Sequence, residues 1–75
     1  MISQDANKKV GDAIPQLSSA NPMDRKQAME VLNDYDNASA RDLAFYSVCA
    51  AVEKEIIPGI KIQMLSYLSQ TAKNN

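Results

Sequence analysis

Apolar residues recur along this chain at helical spacing, and prolines cut the recurrence into pieces that no single rod can join. Val10, Ile14 and Leu17 stand at i, i+4 and i+7, on one side of a helix. Pro15 lies inside that stripe. It has no backbone N–H, and its ring clashes with the carbonyl of the preceding turn, so the first helix is expected to kink, begin or end near it. Gly11 weakens the same segment by about 1 kcal/mol relative to alanine. Ser18-Ser19-Ala20-Asn21-Pro22 then reads as a turn into a second helix. Asn21 is placed to cap it, Pro22 suits its first position, and Asp24 sets a carboxylate at the positive end of its dipole.

Beyond that turn, Ala28, Leu32 and Tyr35 form a stripe with Met29 and Val31 beside it. Asn33 to Asn37 is poor in helix formers, and Ser39-x-x-Asp42 offers a new cap, so the pattern leaves open whether the helix breaks there. Phe45, Cys49, Val52 and Ile56 continue the period, flanked by the small Ala44, Ala50 and Ala51. Pro58-Gly59 ends that run, and Ile60, Met64 and Leu68, with Leu65, define a last amphipathic segment. The expected fold is all-α, a helical hairpin or small helical bundle with helices near 6–18, 22–36, 39–57 and 60–70. Residues 1–75 form a single small helical domain, and the polar ends, 1–5 and 71–75, are expected to fray. Met23, Met29 and Met64 fall at helical positions and read as packing residues.

At 75 residues the chain buries only about 60–65% of its unfolded surface, which makes it marginal on its own. The usual supplements are disulfides, a metal or oligomerisation. Cys49 is the only cysteine, so no intrachain disulfide forms. The chain has no histidine, and one thiol cannot complete a zinc shell. Association with itself or a partner is the route left. Eight basic residues against nine acidic give no footprint for nucleic acid, and one Phe, three Tyr and no Trp supply no stacking platform. Six carboxylates between Glu30 and Glu55, against Arg41 and Lys54, read as a solvated acidic face. No stretch has the roughly 20 apolar residues of a membrane span. The start, Met1 to Asp5, lacks the basic and apolar regions of a cleavable signal peptide.

Reactive constellations are missing. Asp34-x-Asp36 opens like an EF-hand loop, but Ser39 stands where glycine is needed and Phe45 where a bidentate glutamate belongs. Cys49 has no histidine to activate it and sits on an apolar stripe, as a buried inert thiol does. Glu53 and Glu55, two apart on a helix, point to different faces. The two glycines are isolated, so no phosphate loop forms. The expectation is a protein that is no enzyme, with no cofactor and no metal.

The order of segments resembles the type III secretion needle subunits. Ala6, Asn7, Lys8, Val10, Asp12, Ile14 and Leu17 match the family's first-helix pattern, and Asn21-Pro22 matches its turn. Leu32 and Tyr35 resemble the leucine and aromatic of its long helix, and Lys54-Glu55-Ile56-Ile57-Pro58-Gly59-Ile60 its closing run. The likeness spans roughly residues 5–64. It implies a self-assembling structural subunit forming a hollow helical filament through which unfolded proteins are exported, a role in virulence. By this resemblance Val10, Ile14, Leu17, Leu32, Tyr35, Phe45, Val52 and Ile56 would pack between subunits, and Lys54, Glu55 and Gln63 would face the channel. It also implies that the partners are the chain itself, export chaperones and a tip protein. The protein would then be cytoplasmic before export and at the cell surface after it, without a cleaved signal. The competing expectation is a small cytoplasmic helical adaptor or secretion chaperone that binds a partner helix in a groove.

Overall fold

Four α-helices and one 3-10 turn account for nearly all of the chain: α1 (Ile2–Ala13), the 3-10 helix Ile14–Ser18, α2 (Pro22–Asp34), α3 (Ala38–Lys54) and α4 (Pro58–Asn74). The computed structural model describes the backbone of residues 2–35 and 37–74 and the side chains of 7–35 and 37–72. The architecture is an all-α small bundle, with no strand among the described residues.

Each boundary has a local cause. Pro15 ends α1 two residues before itself and sits in the first turn of the 3-10 helix, where its missing N–H leaves no bond unmade. Ser18 Oγ donates to Pro15 O and Ser19 N to Gln16 O, closing that turn. Asn21 caps α2 by accepting from Met23 N at 3.0 Å, with Pro22 first in the helix and Asp24 in its first turn. The poor helix formers after Asn33 do break the chain, and α2 stops at Asp34. The cap of α3 is Asn37, whose Oδ1 accepts from Ala40 N at 2.9 Å, and not Ser39, which is the second residue of the helix. Asp36 lies outside the described residues. Pro58 opens α4, two residues earlier than the periodicity places it, and the helix runs on to Asn74. Of the ends expected to fray, 2–5 and 71–74 are helical, while Met1 and Asn75 lie outside the described residues.

The helices pack as a ring. α1 lies against α2 and α3, and α4 closes the ring against both, its contact with α3 being the most extensive between two helices. The 3-10 helix sits across one end, touching α1, α2 and α3. The radius of gyration, 11.4 Å, is that of a compact domain of this length, about 11 Å. The core joins Val10, Ala13 and Leu17 to Ala28, Met29 and Leu32, then to Ala40, Ala44 and Val48, and finally to Ile60, Met64 and Tyr67.

Two inward faces differ from the periodic reading. In α3 the buried line is Ala40, Ala44 and Val48, about 100° round from the stripe Phe45, Cys49 and Val52, all of which are half-buried. Apolar residues lie nearly all round α3, so spacing alone could not select its inner face. In α4, Tyr67 takes the core place beside Met64, while Leu68 is partly buried and Leu65 exposed. Met23 is exposed, so among the three methionines only Met29 and Met64 pack inside.

Arg41 staples the two last helices. It is buried, donates from Nη1 to Tyr67 O and Thr71 Oγ1 (3.1 and 2.7 Å), and lies 4.6 Å above the Tyr67 ring centre. Its position near the C-terminal end of α4 also suits a cation, because the helix dipole is negative there.

Candidate functional site

A groove lies where the 3-10 helix meets the C-terminal half of α3. The prolyl turn packs against α3 instead of continuing α1, and α3 lines the space beside it with the small side chains Ser47, Ala50 and Ala51. A groove of about 510 Å³ results, with Ile14, Pro15 and Leu17 on one wall and Ile56 on the other rim. Ile56 is 84% exposed and Ala50 is exposed too; one and two turns before Ala50 on the same side of α3, Tyr46 is 80% exposed and Leu43 49%.

One end of the groove is built from charge. Arg25, on α2, donates from Nε to Glu55 Oε1 at 2.8 Å and from Nη2 to Glu55 Oε2 at 3.0 Å, a two-bond fork that matches guanidinium to carboxylate. Its Nη1 donates to Ser19 O at 2.8 Å and Ala20 O at 3.3 Å. Glu55 Oε2 also accepts from Ile56 N and Ile57 N at 3.1 and 3.0 Å. The Glu55 side chain is fully buried and that of Arg25 nearly so. The guanidinium holds the Glu55 carboxyl below its ordinary range, helped by the two amides and opposed by burial. Arg25 is correspondingly raised by the carboxylate it donates to.

The same carboxylate shapes the backbone. α3 stops at Lys54, and Glu55 is extended, with φ −72° and ψ 126°. Its carboxylate takes the next two amides, and Pro58 biases the residue before it away from helical backbone. The helix expected to reach residue 57 therefore ends earlier, and Ile56 leaves the helical stripe for the surface.

The residues proposed as an assembly strip are divided. Val10, Leu17 and Leu32 are in the core, and Ile14, Tyr35 and Val52 pack partly against it. Phe45 is half-buried, with its ring edge-on to Tyr46 at 5.4 Å between centres, and Ile56 alone stands well out. In the folded chain these side chains do not share one free face. Lys54, Glu55 and Gln63 likewise form no common polar wall. Lys54 is exposed at the groove, Glu55 is buried on Arg25, and Gln63 is half-buried with Oε1 unsatisfied among the described residues. Cys49 is a half-buried free thiol.

Sequence reasoning missed Arg25, Arg41 and Thr71. Arg25 and Glu55 are thirty residues apart, and no local pattern joins them. No group of three acidic or cysteine side chains that could hold a metal occurs among the described residues, and no described helix is long and apolar enough to cross a membrane. Comparison with known proteins found no matching family model, no matching curated protein and no matching solved structure.

Proposed function

We propose that this chain is a helical interaction module that receives an apolar segment of a partner helix along the groove and the outer side of α3. One observation carries the reading: the core is complete without Leu43, Tyr46 and Ile56, yet these large side chains stand exposed beside a formed groove. Exposed apolar side chains that gather on one side of a helix beside a groove suit a protein contact. Small residues on the groove floor let a second helix approach closely, and aromatic side chains at the margin supply contact area at low entropic cost. A photo-cross-linking residue at Ala50 should trap a partner in the producing cells, whereas the same residue at the exposed Gln27 should not. Equal labelling at both positions, or none at Ala50, sinks the reading.

The second reading is a subunit of a type III secretion needle, self-assembling into a hollow filament for export, with export chaperones and a tip protein as further partners. It is favoured by exposed apolar side chains on three helices: Met23 on α2, Leu43 and Tyr46 on α3, Ile62 and Leu65 on α4. A head-to-tail filament needs two different patches on one subunit. If folded subunits assemble, those residues would make the contacts; assembly through Val10, Leu17 and Leu32 would require the core to open. Sedimentation across concentration and negative-stain microscopy separate the readings. Filaments support the second, and a monomer unchanged at high concentration supports the first.

A further inference from the structure

We propose that Arg25 and Glu55 form a latch that makes the two walls of the groove move as one. Three observations carry this. Arg25 comes from α2 and belongs to neither wall, yet its Nη1 holds Ser19 O and Ala20 O behind the 3-10 helix. Its other nitrogens hold Glu55, and Glu55 in turn holds Ile56 N and Ile57 N on the opposite rim. Backbone groups of two loops, joining different helix pairs, therefore converge on one buried ion pair.

A second small network stiffens the first loop. Ser19 Oγ donates to Asp24 and accepts from Asn21 N, so Ser19 cannot shift without disturbing the start of α2. The guanidinium is planar and rigid, and its donors are fixed relative to one another. Displacing the Glu55 rim rotates the fork that holds the Ser19 wall. The groove thus behaves as a preset slot with one fastening. A segment entering it meets a width fixed by Arg25, and loosening either wall loosens both. The inference stands on the two loops themselves and does not depend on what the groove binds.

Amide hydrogen exchange by NMR on the intact chain tests it, with Ser19 and Asn21 reporting one wall and Ile56 and Ile57 the other. In Glu55→Gln, exchange at Ser19 and Asn21 should rise about tenfold although the change lies across the groove. In Arg25→Gln both pairs should rise together by a similar factor, while amides of Leu32 and Met64 keep their rates. Faster exchange confined to the wall next to each substitution overturns the latch. So does unchanged exchange at both walls. Loss of helical circular dichroism in both variants also overturns it, because the pair would then hold up the whole bundle and not the groove.

Discussion

α3 and α4 are the same length, 17 residues each, and pack antiparallel, yet the apolar side chains they bury differ in size. α4 buries large side chains: Tyr67 is 1% exposed and follows Ile60 and Met64 down the core, while Ile62 and Leu65 stand outside. α3 turns small residues inward, Ala40 and Ala44 ahead of Val48, and leaves Leu43 and Tyr46 outside. The difference separates two jobs. α4 supplies apolar burial, about 1.5–3 kcal/mol for each large side chain removed from water. α3 permits close approach of its neighbours and contributes area to the surface. A helix designed only for stability would be expected to place the larger side chains inside.

The comparison breaks most visibly if Tyr67 is truncated. Tyr67→Ala should cost about 3–5 kcal/mol, from lost burial, the cavity left behind and the missing ring under Arg41. For a domain of this size that approaches the whole stability, so the expected result is loss of a cooperative denaturant transition at room temperature. A change below about 1 kcal/mol would mean that α4 does not carry the core. On α3 the damaging direction is enlargement. Ala44→Leu should destabilise by about 1–3 kcal/mol through overpacking, whereas Ala50→Leu on the groove floor should stay within about 0.5 kcal/mol. Equal effects at the two alanines would erase the inner and outer sides assigned to α3.

Acid should loosen the turn that sets α4 against α3. Glu55 is held below its ordinary value in the folded chain, so its contribution is fully present above the ordinary carboxylate range and is lost as pH falls through the lowered value. Thermal melts of the wild type from neutral to strongly acidic pH should show this loss, and Glu55→Gln should flatten the part of the slope that Glu55 supplies. Parallel profiles in the two proteins would show that the pair is not formed in solution. A smaller effect is expected at the other end of α3. Asn37→Ala should cost about 1 kcal/mol by leaving the Ala40 amide uncapped, and Ser39→Ala should cost less than about half of that. The reverse order in denaturant unfolding would return the cap to Ser39.

What could be read in advance was local. Asn21, Pro22 and Asp24 announce the start of α2 because each acts within one turn, and Pro15 marks the end of α1 for the same reason. The stripe of α1 with the 3-10 helix was legible, as Val10 and Leu17 are core residues. The inner face of α3 was not, because apolar residues surround that helix and alanines carry little weight in a periodicity argument. Tyr67 was overlooked in favour of Leu65 and Leu68, since a tyrosine carries a polar end that a periodicity argument counts against burial, and here the Arg41 guanidinium over its ring helps hold it inside. The candidate site was least legible of all. Its groove arises from the 3-10 helix, the end of α3, the loops that follow them and one α2 side chain, brought together by tertiary packing, and Lys54-Glu55 reads as an ordinary solvated pair until Arg25 is seen beside it.

The mildest substitution bears most directly on function. Tyr46 is 80% exposed, and its one described aromatic partner is its neighbour Phe45, so Tyr46→Ala should shift stability by no more than about 0.5 kcal/mol. If α3 faces a partner, the same change removes an anchoring aromatic at the margin of the groove. Truncating such a residue at a protein contact weakens binding by about 1–2 kcal/mol or more, roughly tenfold. Denaturant unfolding and cross-linking from Ala50 should therefore diverge: an unchanged midpoint with sharply reduced adduct. If the adduct survives at full yield, Tyr46 is a solvated side chain and the outer face of α3 is no contact surface. If stability falls with the adduct, Tyr46 belongs with Tyr67 among the residues that hold the bundle, and the division of labour between the two helices fails at its most exposed point.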